Sequence, residues 1–160
     1  MDSNVNFKYL YADLESYIDG ETSRHGAELT LQDGGSAYDV LKVHTRDWPT
    51  IRGYMADALH SIETSMGEDA VMASVVEDSD ESHTPIGVMF RFTVPDADMN
   101  TVPQAKHELA RFVTLSATGK WLERKGFADN ARPLFDAATD SLTRGVNILR
   151  TRKRPTRTDL

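Results

Sequence analysis

The residues with the most distinctive chemistry form a basic cluster at the C-terminal end of the chain. Five cationic side chains fall within eight positions, and no acidic residue lies among them: Arg150, Arg152, Lys153, Arg154 and Arg157. Such a cluster can neutralise phosphates along DNA, and it can equally pair with carboxylates on a protein surface. No aromatic side chain that would stack on bases is interleaved with the cations. Contact with a protein partner, contact with DNA and a solvated end are three open interpretations.

The rest of the chain carries the opposite charge. From Arg144 onward there are six of the 18 basic residues and one of the 25 acidic residues, so residues 1–143 hold 12 basic and 24 acidic side chains, a net charge of −12. A body of one sign with a tail of the other suggests that the tail meets something acidic, such as nucleic acid, the body of a neighbouring copy or its own body. Repulsion between the acidic body and a duplex favours the protein partner.

Two other residue types suggest metal sites but lack the required spacing. None of the histidines belongs to a His-Glu-x-x-His pair, so all are interpreted as surface residues: His25, His44, His60, His83 and His107. Asp78-Asp80-Ser82 and Asp96-Asp98-Asn100 imitate the start of a calcium loop, but each lacks the sixth-position glycine and twelfth-position glutamate. Solvated turns are the favoured interpretation.

Composition restricts the remaining classes. The chain has no cysteine, which excludes disulfides, thiolate metal sites and cysteine nucleophiles, and it has no Gly-x-Ser-x-Gly elbow or phosphate-binding glycine loop. No apolar run approaches the roughly 20 residues that span a bilayer, and the first residues do not form a signal peptide. We therefore expect no enzyme activity, no cofactor, no membrane contact and an intracellular chain.

The spacing of apolar residues predicts the elements that carry these groups. Phe7, Leu10, Tyr11, Leu14, Tyr17 and Ile18 recur at three- and four-residue steps, which predicts a short first helix ended by Gly20. The polar stretch from Glu21 to Tyr38 is interpreted as a loop with at most a short strand. Asp47-Trp48-Pro49 is typical of a helix start, with Asp47 as N-cap and Gly67 as the stop.

In the second half of the chain, a stretch with the two-residue period of strands is followed by two predicted helices. Residues 70–94 alternate apolar and polar side chains around an acidic tip, which predicts an antiparallel β-hairpin. Pro103 opens a long helix ended by Gly126, and a last helix runs to about Arg150. Trp121 and Phe112 are assigned to the core. The prediction is a mainly α fold with one β-hairpin (α+β), in which antiparallel helices pack with a two-stranded antiparallel sheet. One domain covers residues 1–150, and residues 151–160 form a basic tail.

This order of elements resembles a group of small proteins encoded by tailed phages and prophages of Bacteroidetes among head and tail assembly genes. The resemblance covers roughly Tyr38 to the C-terminus and rests on these segments: Tyr38-Asp39-Val40, Asp47-Trp48-Pro49, Phe90-Arg91-Phe92-Thr93-Val94-Pro95, Gly119-Lys120-Trp121-Leu122 and Arg152-Lys153-Arg154-Pro155-Thr156-Arg157. None of these motifs is catalytic.

The resemblance implies a virion structural protein, namely a neck or head-to-tail connector (adaptor) subunit that forms a homo-oligomeric ring. Its partners would be copies of itself, the portal and other neck or tail proteins, with the basic tail in contact with protein or packaged DNA. Its location would be the virion, and the host cytoplasm during assembly. The alternative is a nucleic-acid-binding accessory protein that uses the same tail.

Overall fold

The computed structural model describes residues 3–77, 83–95 and 99–151. Over these residues the chain forms three strands and five α-helices. In chain order they are β1 (Ser3–Leu10), α1 (Tyr11–Glu28), α2 (Tyr38–Leu41), α3 (Trp48–Met66), β2 (Ala70–Val76), β3 (Pro85–Val94), α4 (Val102–Arg124) and α5 (Ala128–Arg150). The mainly helical α+β class predicted from the sequence is therefore confirmed.

The described part of the sheet has three strands rather than the two expected, in the order β1-β3-β2 with both pairs antiparallel. The predicted hairpin is its β2–β3 half. The third strand is β1, which covers residues 3–10, where the first helix was expected to begin. Alternation decides its structure, because Val5, Phe7 and Tyr9 point into the core while the residues between them are exposed.

Aromatic packing holds β1 against β3. The rings of Phe7 and Phe92 meet edge to face at 5.3 Å, and Phe90 stacks on Phe92 at the same separation. Gly87 permits the close approach at the far end of this pair, because a Cβ there would collide with the backbone carbonyl of Tyr9. The sheet thus presents one aromatic face to the helices.

The first helix lies further along the chain than predicted. α1 begins at Tyr11 and runs through Gly20 to Glu28, so the expected stop at Gly20 and the expected loop from residue 21 are both wrong over this range. Thr22 and Gly26 are buried in its second half, and a Cβ on Gly26 would lie 2.9 Å from the Cα of Tyr38. Close contact with α2, rather than an apolar pattern, fixes this part of the helix.

The α3 prediction is confirmed, except for its cap. Ile51, Met55, Leu59 and their neighbours at helical spacing are buried, and Gly67 ends the helix with a φ of 60°. The Asp47 carboxylate does not cap α3. It accepts a hydrogen bond of 2.9 Å from the backbone N–H of His44 and so caps the 3-10 turn Thr45–Asp47 that precedes α3. No described residue explains Gly53, whose added Cβ would meet open space.

α4 lies at the centre of the helical layer. It packs against α1, α3 and α5, and its residues are buried on several sides. The middle of α4 lies close to a side chain of α5, since a Cβ on Gly119 would lie 2.7 Å from the ring of Phe135. Trp121 is 1% exposed, and its indole N–H donates a 2.8 Å hydrogen bond to the carbonyl of Leu41. Both Trp121 and Phe112 lie in the core, as expected.

Candidate functional site

The structure describes the two residues that precede most of the basic cluster, Arg150 and Thr151. α5 ends at Arg150, whose exposed guanidinium Nη2 donates a 2.8 Å hydrogen bond to the carbonyl of Ser65 in the last turn of α3. The Thr151 N–H and hydroxyl both bond the carbonyl of Asn147, which completes the helix end. Of the five predicted contact residues, Arg150 is therefore placed beside α3. The other four lie outside the described residues: Arg152, Lys153, Arg154 and Arg157.

Acidic residues lie close to Ser65 in the chain. Ser65 and Met66 are followed by Gly67 and then by Glu68 and Asp69, both of which are exposed and immediately precede β2. Glu63 lies two residues before Ser65 on α3. The basic segment thus begins within a few residues of the acidic connection between α3 and β2.

β2 is an edge strand, and Glu63 identifies which of its backbone groups face outward. The Glu63 carboxylate accepts a 3.3 Å hydrogen bond from the N–H of Met72, so that amide points away from β3. Amides of alternate residues in a strand point the same way, which orients the backbone of Ser74 outward as well. Within the described ranges, no residue pairs with the outward backbone groups of Ser74. The sequence predicted this strand but gave no sign that it lies at an edge.

The outer face of the sheet beside this edge is partly apolar. Val71 is 51% exposed, Ala73 is exposed, and Val75 and Met89 are half-buried. The opposite face carries the buried aromatic residues that pack on the helices. An open edge next to exposed apolar side chains is the arrangement by which one chain adds a strand to another.

A separate open groove of about 530 Å³ lies between α1, α4 and α5. Tyr17, 68% exposed, lines the groove, and Ala110, Leu115 and Leu134 contribute apolar side chains to it. Arg24 at its rim is paired with Glu21 at 2.7 Å. The groove's titratable side chains are exposed or half-buried. Sequence reasoning missed it, because its residues come from helices about a hundred positions apart.

Four histidines are exposed, as expected, and the fifth is half-buried. Burial, together with the charge of Arg24, lowers the pKa of His25, while Glu21 and Glu28 act in the opposite direction. No group of three or more potential metal ligands occurs among residues 3–77, 83–95 and 99–151. The residues that imitate calcium loops lie mostly outside those ranges.

One buried tyrosine has a structural contact. The Tyr9 hydroxyl donates a 2.8 Å hydrogen bond to the carbonyl of Lys106 near the start of α4, and burial raises its pKa. The bond joins β1 to the central helix. Because its partner is a backbone carbonyl, we assign this hydroxyl a role in stabilising the fold.

Comparison with protein-family models, with curated proteins and with solved structures gives no match. The resemblance to phage neck proteins therefore stays a prediction. Among the helices of the described ranges, none combines the length and the apolar character that crossing a membrane requires.

Proposed function

We propose that this protein is a non-enzymatic structural subunit of a tailed-phage virion, a neck or head-to-tail adaptor that forms a homo-oligomeric ring. The basic C-terminal segment, with Arg152, Lys153, Arg154 and Arg157, joins one copy to the next. Portal, other neck and tail proteins are the further partners, and packaged DNA is a second acidic surface within reach of the segment.

One observation carries the proposal: the basic segment begins at a residue, Arg150, that is hydrogen-bonded to an otherwise acidic domain. Arg150 attaches the segment to α3 through Ser65, while the first 143 residues carry a net charge of −12. Two unlike and complementary surfaces on one chain allow each copy to give one surface and receive the other. Contacts of this kind close into rings when the rotation between copies divides a full turn.

Light scattering of the purified full chain over increasing concentration tests the assembly. The expected result is a discrete oligomer, with closed rings in negative-stain images. A monomer at every concentration would contradict the ring. Antibody labelling of phage particles then tests the location, with label expected at the junction of head and tail.

The nucleic-acid-binding alternative uses the same segment, and a salt titration separates the two functions. An accessory DNA-binding protein would bind duplex DNA with an affinity that falls steeply with salt, and a chain ending at Thr151 would lose that binding. The structural subunit instead loses self-association in the shortened chain. Tight, salt-sensitive DNA binding by a strictly monomeric protein would replace the proposed function with the alternative.

A further inference from the structure

We infer that residues 152–160 of a neighbouring copy add as a strand along the open edge of β2. This inference rests on the proposed function, since it specifies where the joining segment binds. Part of the edge has the necessary chemistry: within the described ranges the outward backbone groups of Ser74 have no partner, while the N–H of Met72 is bonded to the carboxylate of Glu63, which an added strand would displace at that position. Pairing along a strand edge satisfies such groups while side chains select the partner.

Charge selects the basic segment as the occupant. Carboxylates flank β2 at both ends and along its side, with Glu68 and Asp69 before it, Glu77 after it and Glu63 beside it. The segment that would lie against them has four cations between residues 152 and 157 and its only acidic residue at Asp159. Opposite charges at both ends of the strand favour this segment over other extended chains.

The length of the segment matches the edge. β2 has seven residues, which span about 24 Å at a strand rise of about 3.4 Å. The nine residues beyond Thr151 reach at most about 30 Å when extended. Residues 152–160 of a neighbour are therefore long enough to cover β2.

Pro155 is compatible with this placement, and the direction of the segment favours a neighbouring copy over the protein's own segment. Pro155 lacks an N–H, which an edge strand tolerates when that position faces away from the sheet. The protein's own segment starts next to Ser65, five residues before β2, so it can run along its own edge only in parallel. A neighbour's segment can run antiparallel, which is the more stable pairing.

Disulfide cross-linking tests the contact, because the chain has no native cysteine. Ala73→Cys places a thiol on the exposed outer face of β2, and Thr156→Cys or Arg157→Cys places one on either face of the segment. A size-tagged Ala73→Cys protein is mixed with an untagged segment variant and oxidised mildly. The matched control replaces Ala73→Cys by Asn6→Cys, which is exposed on β1 at the opposite edge.

The expected result is a mixed covalent dimer with Ala73→Cys, at least about tenfold more abundant than with Asn6→Cys, since strand pairing holds opposed side chains about 5 Å apart. Equal cross-linking of both edges would overturn the inference. A double variant, Ala73→Cys with Thr156→Cys, checks the protein's own segment. If it yields only an internally cross-linked monomer, the segment folds back and the inference is wrong.

Light scattering of the same samples separates this inference from the proposed function. Oligomers that form without the mixed cross-link would overturn the strand addition and leave the ring intact. Oligomers that persist in a chain ending at Thr151 would overturn both the strand addition and the proposed joining role of the basic segment, and would leave only the ring itself. Monomers under all conditions would contradict both.

Charge reversal provides an independent test in the uncross-linked protein. Glu68→Lys with Asp69→Lys is expected to weaken self-association by about tenfold or more, because like charges would then face each other. Adding Arg152→Glu with Arg154→Glu to the same chain should restore association. Failure of this rescue, with circular dichroism unchanged, would contradict the assigned contact.

Discussion

At the scale of single residues, Trp121 joins two parts of the chain that are far apart in sequence. Its apolar spacing predicted burial, and the structure confirms it. The hydrogen-bond partner, the carbonyl of Leu41, lies 80 residues away. Periodicity reports which face of a helix is buried but contains no information on which distant backbone group lies opposite, so this partner was not predictable.

Trp121→Phe is expected to lower the free energy of unfolding by about 1–3 kcal/mol, because the buried Leu41 carbonyl would lose its donor. Urea unfolding followed by circular dichroism measures the change. Trp48→Phe is the matched control, since Trp48 is only half-buried at the start of α3, and it should have the smaller effect. Equal losses of unfolding free energy in the two variants would mean that the smaller ring, and not the lost hydrogen bond, causes the destabilisation.

Two helical glycines have opposite surroundings, and their alanine variants should differ in sign. Gly119→Ala places a Cβ 2.7 Å from the ring of Phe135, and such overpacking typically costs about 1–3 kcal/mol. Gly53→Ala meets open space in α3, so the better helix propensity of alanine should raise the free energy of unfolding by about 1 kcal/mol. Thermal or urea unfolding compares them. A more stable Gly119→Ala protein would mean that Phe135 moves aside without cost.

His25 should make stability depend on pH. Burial and Arg24 lower its pKa in the folded protein, so the unfolded chain binds the proton more readily. Stability is therefore lost as the pH falls below the ordinary histidine value of about 6.5. His25→Gln should lose less stability than the wild type between pH 7.5 and 5.5, as measured by urea midpoints. His107→Gln, at an exposed position on α4, is the control.

At the scale of elements, the prediction from apolar spacing was wrong at β1, where a helix was expected to begin. Phe7, Leu10, Tyr11 and Leu14 have helical spacing only because they span the boundary between a strand and a helix. The alternation of Val5, Phe7 and Tyr9 is present, but three positions cannot compete with a longer apparent period. Pairing with β3, whose partner residues lie 77 to 91 positions later, decides the structure.

Alanine substitutions along β1 test its strand character. Phe7→Ala removes a ring that is 3% exposed and should lower the free energy of unfolding by about 3–5 kcal/mol. Lys8→Ala, one residue on, lies on the outer face and should change it by less than about 0.5 kcal/mol. Denaturant titration of both variants gives the comparison. Substantial destabilisation by Lys8→Ala would contradict the assigned faces.

Other elements were predictable to the extent that they have their own pattern. The hairpin and α3 each repeat one period over many residues, and both were placed correctly. The second half of α1 has no apolar stripe, and its burial depends on Gly26 against Tyr38 in α2. Structure that depends on contact between two polar segments was missed for this reason.

At the scale of the whole molecule, one part of the candidate site could be predicted from the sequence and the other could not. The basic segment was evident because charge is additive along a sequence. The acid-flanked edge was not, since it requires the order β1-β3-β2, which leaves β2 on the outside. Glu63 belongs to the edge only because α3 passes beside it.

Self-association should weaken with salt if it joins opposite charges. The screening length falls from about 10 Å at 0.1 M salt to about 3 Å at 1 M. We expect the oligomer to shift toward monomer over this range in light scattering. The urea midpoint of the monomeric chain ending at Thr151 serves as the control for general destabilisation. An oligomer that becomes tighter with salt would point to an apolar interface instead.

The register of β1 also has a consequence for biosynthesis. Ser3 pairs with Val94, so β1 has no partner until about ninety further residues have been made. At about 5–20 residues per second, that interval is on the order of ten seconds. Throughout it, the nascent chain displays Val5, Phe7 and Tyr9 unprotected, which makes this short stretch the natural target for a chaperone during translation.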